Sequence, residues 1–534
     1  MSAPVTSEPA VADPPPATGV LGWIERVGNR LPDPVFLFLY LIGGLVALSL
    51  AAAGLGWSAL HPTAVGEDGA PLVIAAESLL SAANIQRLWV EMPTTFTHFH
   101  PLGYVLVVML GAGVAERTGL FGTAMRAAVR NASTTWLTPV VALVAMMGNL
   151  AADAAYVVLI PLAAVIYAAA GRHPIAGIAA SFAGVSGGFS ANLLPGQLDA
   201  LLFGITEEAV EAIVPTWDAN IAGNWYFIAA MVFVSIPVIW YVTDRVVEPR
   251  LGGYVPEGDY AEEAMGDDDE VSADERRGLR WAGLATLAVV GLWALMTLGP
   301  GTPLVDEAAA PEARLSPFYR SLVAGFFVLF LAAGWAYGAA VGAVKGHRDI
   351  VEMMSGSMKD LAYYLVLAFV AAHFVAMFAW SNLGLITAVH GANGIEQLAL
   401  PTPFLLMLIV VFTGVTNLFV GSASAKWALL APVLVPMLML VGISPEMTTA
   451  AYRVGDGATN IITPLMVYFP LILIFCQRWQ KDFGLGSLAA LMIPYSVGLL
   501  IVGLALVGAW VALDVPLGPG AGVEYVLPSP AGGP

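Results

Sequence analysis

Apolar residues run along this chain in unbroken stretches of helix length, not in the alternation of a half-buried strand. Stretches at 34–54, 100–120, 223–243, 279–299, 317–344, 359–380 and 488–513 each reach the ~20 residues that cross ~30 Å of hydrocarbon. Their continuity predicts helices and speaks against an outer-membrane barrel, whose strands alternate apolar and polar positions. Two further apolar regions do not fit one helix each. Region 136–204 is broken at Gly148-Asn149, at Gly171-Arg172-His173-Pro174 and at Gly187-Gly188. Region 403–476 is broken at Thr416-Asn417, at Gly442-Ile443-Ser444-Pro445 and at Gly455-Asp456-Gly457.

The two broken regions resemble each other. One reads GNLAADAAYVVLIP, then RHP, then GVSGGFSANLLP; the other reads TNLFVGSASAKWALLAP, then ISP, then GDGATNIITP. Asn149 and Asn192 are 43 residues apart, and so are Asn417 and Asn460. Each pair opens on Asn-Leu and closes on Asn, two aliphatic residues and a nearby Pro.

Composition sharpens the picture. The 534 residues are 58% hydrophobic and only 11% charged, against about 25% charged in soluble globular chains. That excludes a soluble enzyme and a disordered protein, and a net charge of −18 argues against a nucleic-acid binder. Cys476 is the single cysteine, so neither an internal disulfide nor a cysteine metal cage is expected. Residues 1–20, rich in Pro and Ala with no basic region before an apolar core, read as a loose leader and not as a cleaved signal peptide.

Lysine and arginine set the orientation. Arg117, Arg126, Arg130, Arg245, Arg250, Arg276, Arg277, Arg280, Lys345, Arg348, Lys359, Arg478 and Lys481 are assigned to the cytoplasm. Glu207, Glu208, Glu211 and Asp218 sit on a loop without Lys or Arg, assigned outside, as is the loop 381–402. The two sides reconcile when each broken region crosses a net odd number of times. The expectation is an all-α polytopic membrane protein of about nine transmembrane helices plus two re-entrant hairpins, with the N-terminus in and the C-terminus out. The broken regions then enter from opposite sides, as an inverted repeat.

The expected organisation is a leader (1–20), scaffold helices (21–135), a first transport repeat (136–204), and scaffold helices with an acidic cytoplasmic loop at 246–278 (205–402). A second transport repeat (403–476), a last helix (477–513) and a tail (514–534) follow. The loop's stretch 257–275 carries ten acids and reads as a solvated linker.

Inverted repeats with Gly/Pro-interrupted helices mark secondary transporters. Unwound backbone in lipid costs several kcal/mol per unsatisfied group, so a break survives only around a ligand or water. Helix halves ending at the midplane aim their N-termini at anions and their carbonyl ends at cations.

Ionisable groups inside the greasy regions cost ~2.5–3.5 kcal/mol each on insertion scales, and so repay inspection. They are Asp153 and Asp199 in the first region and Lys426, Arg453 and Asp456 in the second. Arg453 and Asp456 stand one helical turn apart and are expected to pair. That pair either braces the break or lets Arg453 hold a substrate carboxylate by its bidentate fork. Asn149, Asn192, Asn417 and Asn460, with Ser186, Ser422 and Ser424, offer neutral oxygens. With a carboxylate they suit a hard cation such as Na⁺, by the logic that governs Ca²⁺ and Mg²⁺; the alternative is that the asparagines cap helix ends. Asn149, Asn192, Asn460 and Asp456 are the candidate Na⁺ ligands. Trp427 beside Lys426 offers an aromatic face. Asp199, just past Pro195-Gly196, is a proton or cation carrier or else a polar cap.

At these residues the sequence resembles the p-aminobenzoyl-glutamate transporter (AbgT) family. The matching runs are Gly421-Ser-Ala-Ser-Ala-Lys-Trp427, Tyr452-Arg-Val-Gly-Asp-Gly457 with Asn460 and Thr463-Pro464, and Gly188-Phe-Ser-Ala-Asn192 with Asp199. The layout agrees over roughly 21–513; the leader, the acidic loop and the tail past 513 fall outside the resemblance. The resemblance implies a bowl-shaped homodimer in the bacterial inner membrane, in the larger ion transporter superfamily. It implies uptake of p-aminobenzoyl-glutamate driven by an ion gradient, or export of sulfonamide antimetabolites. The family's functional positions correspond to Asp199, Asn417, Ser424, Trp427, Pro445, Arg453, Asp456 and Pro464, and all these residue types are in place. A flat ring with two carboxylates suits one Trp and one Arg, with a helix N-terminus for the second carboxylate.

The reading is therefore an ion-coupled secondary transporter working by alternating access, with Na⁺ or H⁺ as coupling ion, no cofactor and no enzymatic activity. A dicarboxylate or citrate carrier of the same superfamily is the alternative, and a channel is a third. A remoter rival is an intramembrane serine protease, in which Gly184-Val185-Ser186-Gly187 supplies the nucleophile and His373 the base. His98 and His100 form an H-x-H before the second span, read as interfacial histidines, and no P-loop for ATP is present.

Overall fold

The computed structural model describes residues 33–65, 71–130, 133–151, 154–253, 271–299, 301–309, 314–463 and 466–527. The leader 1–20, Arg130, Asp153, Pro464, the stretch 257–270 and the end of the tail lie outside the described residues or their described side chains. The chain is almost wholly helical. The seven unbroken apolar stretches become the helices Pro34–Gly54, His100–Arg117, Trp225–Val242, Ala273–Thr297, Leu322–Val341, Ala362–Trp380 and Leu485–Ala512. Among the described residues eight helices are long and apolar enough to cross a membrane, the eighth being Ala423–Leu440 in the second broken region.

These helices carry large apolar side chains outward as well as inward. Trp281, Leu284, Leu287, Leu292 and Leu295 on Ala273–Thr297 are exposed, as are Phe36, Leu39, Tyr40, Leu48 and Leu50 on Pro34–Gly54. Such faces would aggregate in water and are at home in lipid, where the helix satisfies its own backbone hydrogen bonds.

Each broken region folds as helix, break, helix, tight turn, helix, break, helix. The first runs Leu137–Met147, a 3₁₀ turn Gly148–Ala151, Ala154–Ala169, Pro174–Phe182 continuing into one π turn Ala183–Gly187, and Gln197–Val210. The second runs Thr402–Asn417, Ala423–Leu440, Pro445–Asn460 and Phe469–Trp479. The turns between the inner helices match: Gly171 (φ 71°) precedes Pro174 and Gly442 (φ 84°) precedes Pro445, each glycine taking a left-handed conformation that other residues resist. His173 and Ser444 cap the helices that follow, and each proline occupies the first turn, where its missing N–H costs nothing.

The two repeats share one core, which also takes in Trp225–Val242 and Leu485–Ala512. A second core joins Pro34–Gly54 and Ala362–Trp380 to Gln197–Val210 and Ala423–Leu440. A third is formed by His100–Arg117, Ala273–Thr297 and Leu322–Val341.

Four local features differ from expectation. The segment 381–402 is not a loop: it holds the helix Leu383–Leu398, whose Leu383, Ile386 and Ala388 are buried in its packing against Ala423–Leu440. An antiparallel hairpin, Ser58–Val65 with Pro71–Ala75, precedes the amphipathic helix Ala82–Thr97. The helix expected at 279–299 begins at Ala273, because Ser272 and Glu275 cap each other's N–H groups reciprocally, at 3.1 and 2.8 Å. The tail, expected only to follow the last helix, folds back over its described part: Ser444 N–H donates to Val523 O and Tyr525 N–H to Gly442 O, so it covers the second tight turn.

Two ion pairs join segments that the Lys/Arg bias put on one side, and a third ties an acidic loop at Asp218 to Arg320. Arg126 holds Glu275 at 2.6 Å, Arg117 holds Asp360, and Arg320 holds Asp218.

Candidate functional site

Breaks in consecutive helices meet at two crossings, one in each repeat. In the first, Asn149 Nδ2 donates to Gly188 O at 3.5 Å and Asn192 Nδ2 to Met146 O at 3.3 Å. Each asparagine thus serves a carbonyl freed by the opposite break, as unwound backbone in an apolar setting requires. Asn149 Oδ1 is buried and has no partner.

In the second crossing the bonds are shorter and more numerous. Asn417 Nδ2 lies 2.9 Å from Asp456 O, 3.0 Å from Thr459 Oγ1 and 2.8 Å from Asn460 Oδ1. These contacts orient the amide so that Oδ1 faces Lys426, whose Nζ donates to it at 2.6 Å. Lys426 Nζ also donates to Asp456 Oδ1 at 2.5 Å, and both side chains are only 1% exposed. The helices approach closely here: a Cβ on Gly455 would come 2.2 Å from Val410 O, so Thr402–Asn417 and Pro445–Asn460 cross only because that position has no side chain.

The expected Arg453–Asp456 pair does not form. Arg453 Nη2 reaches instead across the repeats to Asp199 Oδ1 at 2.7 Å, with side chains 1% and 5% exposed. The reason is the environment on both sides. Asp456 is already held by Lys426, and Asp199 stands in the first turn of Gln197–Val210, its Oδ2 accepting Gly196 N–H at 2.7 Å. Asp199 is therefore a helix cap and the arginine's counterion at once. Arg453 spends one arm on it, while Nε is buried without a partner.

Trp427 lies one residue beyond Lys426 and is fully buried. Its ring stacks on Tyr452 with centroids 4.4 Å apart, and Nε1 donates to Thr206 Oγ1 at 3.0 Å. Thr206 and Thr449 share a hydrogen bond at 3.0 Å. In this conformation the indole face offered by the sequence is thus covered by Tyr452. Pro445 opens the helix that carries Arg453 and Asp456, and Ser424 lies in the first turn of Ala423–Leu440, lining a narrow crevice with Tyr364, Leu201 and Leu367.

Asn417, Asp456 and Asn460 are thus joined through Lys426 and Thr459, and to Trp427 through Tyr452, while Asp199 and Arg453 form a separate pair. Asn149 and Asn192 belong to the other crossing, so the four candidate Na⁺ ligands divide between the two. The crossings touch: a Cβ on Gly457 would lie 3.0 Å from Gly187 O, and Ser186 Oγ is 3.9 Å from Met466 Sδ. Thr206, Thr449 and Thr459 escaped the sequence reading, and Tyr452 was noted only as part of a motif, not as a partner of Trp427 and Lys426. Thr449, Tyr452 and Thr459 mark the one polar helix in a greasy region, which was the available signal.

Ser186 and His373 make no bond with each other. Ser186 is buried beside Met466, and His373 Nδ1 lies 2.6 Å from Phe369 O. His98 and His100 diverge too: His98 turns to Thr94, and His100 to Glu207 and Glu211.

Broken helices meeting around ion pairs closed off from water, among helices long and apolar enough to cross a membrane, are the features of a multi-pass membrane transporter. The chain belongs to the AbgT putative transporter family, whose model matches residues 19–525, beyond the motif resemblance and into the tail. It is 35% identical over 503 residues to the p-aminobenzoyl-glutamate transport protein of Escherichia coli K12, covering 93% of this chain and 96% of that one. Among solved structures it resembles the YdaH transporter of Alcanivorax borkumensis, with 42% identity and a TM-score of 0.83 over 91% of this chain and 100% of that one. It also resembles MtrF of Neisseria gonorrhoeae, described as illuminating a class of antimetabolite efflux pumps, with 41% identity and a TM-score of 0.87 over 94% and 99%.

Proposed function

We propose that this protein is an ion-coupled secondary transporter of p-aminobenzoyl-glutamate-like aromatic carboxylates, and that the same site exports sulfonamide antimetabolites. The carrying observation is the half-used guanidinium of Arg453, closed off from water, held by Asp199 through one arm and with Nε unpartnered. A substrate carboxylate is the natural second occupant of that fork. Asp199 holds the place such a carboxylate would take. Neutralising Asp199 by a proton releases the arginine, which links proton movement to anion binding. The neutral oxygens of Asn149, Asn192 and Asn460, with Asp456, offer the parallel route for Na⁺. The names of the Escherichia coli relative and of MtrF support the choice of substrates.

The protein works by alternating access, the two repeats (136–204 and 403–476) carrying the site past the remaining helices. It sits in the bacterial inner membrane as a homodimer of nine-span protomers with two re-entrant hairpins, N-terminus in the cytoplasm and C-terminus in the periplasm. It performs no covalent chemistry.

The test uses purified protein in liposomes. Uptake of labelled p-aminobenzoyl-glutamate is followed under an imposed Na⁺ gradient, then under a pH gradient. Accumulation with either ion is the expected result and names the ion. Folded protein that accumulates nothing under both, and expels no sulfonamide, overturns the reading.

A further inference from the structure

Lys426 is the unusual member of the buried set. A lysine ammonium deep in a membrane protein is costly, and it persists only with oxygens arranged around it. Here the oxygens are Asn417 Oδ1 at 2.6 Å and Asp456 Oδ1 at 2.5 Å, and the π face of Tyr452 lies beneath, its centroid 5.5 Å away. Neutral amide oxygen plus carboxylate oxygen at a helix break is a donor set for a hard cation. The ammonium occupies it from within the chain.

The first repeat has no such group. Counting back six residues from the proline in each outgoing helix gives Lys426 before Pro432 but Ala155 before Pro161. Within 136–204 the basic side chains are Arg172 and His173, at the tight turn, and Arg172 is engaged by Asp244 and Glu248. Asn149 Oδ1, the counterpart of Asn417 Oδ1, has no partner.

We propose that Lys426 is the tethered cation of the second crossing: it fills that crossing's cation position permanently, so an exchangeable inorganic ion enters only at the first. This deepens the ion-coupled reading above and rests on it, but narrows its Na⁺ route to the first crossing, with Asn149 and Asn192, and takes Asn460 and Asp456 out of it. Asp456 is then a fixed counterion and not a site of ion exchange. The buried pairs Lys426–Asp456 and Arg453–Asp199 leave no net charge, so the charge that a dianionic substrate brings in is met by ions that enter with it, at Asp199 or at the first crossing.

The experiment removes the tether. In full-length Lys426→Ala protein, the space beside Asp456 becomes open to a free cation. Thermal unfolding is measured against rising Na⁺, K⁺ and methylammonium, at constant ionic strength set with a bulky organic salt. A saturable stabilisation by at least one of these ions, absent from the wild type and lost in Lys426→Ala/Asp456→Asn, is expected. The same ion should restore transport at least tenfold in Lys426→Ala liposomes. Folded Lys426→Ala protein that responds to no cation overturns the proposal and leaves the lysine as a brace. A wild type that already shows the Asp456-dependent response overturns it as well. Should Lys426→Ala not fold at low cation, its recovery in folded yield on adding methylammonium during solubilisation supports the proposal, and no recovery overturns it. Because unfolding is read without substrate, a failure of the transport reading would not disturb this result.

Discussion

The two repeats present the same architecture with opposite electrostatics. Both place an asparagine at the tip of the first break and another at the second, and both turn on a left-handed glycine three residues before a proline. In the first, the asparagines satisfy carbonyls and no charged side chain is found at the crossing among the described residues. In the second, one asparagine makes four hydrogen bonds and is wedged against an ion pair. A common fold thus supplies the broken backbone, and side chains decide whether a crossing is met by neutral amides alone, among the described residues, or also by a buried ion pair.

The largest effect should come at the residue where the repeats exchange charge. Arg453→Ala is expected to lower transport about a hundredfold or more, as a charged clamp of ~3 kcal/mol implies, while the protein still folds. Arg453→Lys should lose most of that activity as well, because an ammonium lacks the fork. Near-normal uptake by Arg453→Ala in liposomes would refute the clamp.

Asp199→Asn removes the counterion from the first repeat and leaves Arg453 buried and uncompensated. A stability loss of about 3–5 kcal/mol is expected, the range seen when one partner of a buried pair is removed. Added p-aminobenzoyl-glutamate should recover part of it, since its carboxylate can replace Asp199. Thermal unfolding with and without the compound reads both, and an unchanged response to the compound would argue against carboxylate exchange.

The matched pair Asn417→Ala and Asn149→Ala sharpens the comparison directly. Asn417→Ala strips one oxygen from Lys426 and frees several buried polar groups, so a loss of about 2–3 kcal/mol is expected. Asn149→Ala should cost about 1 kcal/mol or less in stability, because one long bond is lost, yet raise the ion concentration needed for half-maximal transport. Equal destabilisation in both would erase the proposed difference between the crossings.

The smallest change is Trp427→Phe. It keeps the stack on Tyr452 and loses the bond to Thr206, which predicts about 1 kcal/mol of destabilisation. Trp427→Ala additionally tests whether this ring handles the substrate. Transport of an aromatic substrate should fall far more than that of an aliphatic dicarboxylate, and parallel losses would confine the ring to packing.

Much of the fold was legible because continuous apolar stretches admit one answer in lipid, and Gly and Pro mark where a helix cannot continue. The equal 43-residue spacings were a true guide reached by compensation. Asn149 precedes Pro174 by 25 residues and Asn417 precedes Pro445 by 28, while the second legs are 18 and 15. The short helix Leu383–Leu398 and the hairpin at 58–75 were not legible, since each depends on packing against distant segments more than on its own pattern.

The candidate site divides the same way. Sequence alone determined which residues are expensive to bury: Asp199, Lys426, Arg453 and Asp456 stand out in any greasy stretch, because each demands a partner. Which partner each takes was decided by tertiary structure. Arg453 and Asp456 are one turn apart on a helix, and helical spacing made them the natural pair. The fold brings Asp199 in from 254 residues away and Lys426 from the neighbouring helix, and a buried charge goes to whichever opposite charge the packing places within bonding distance.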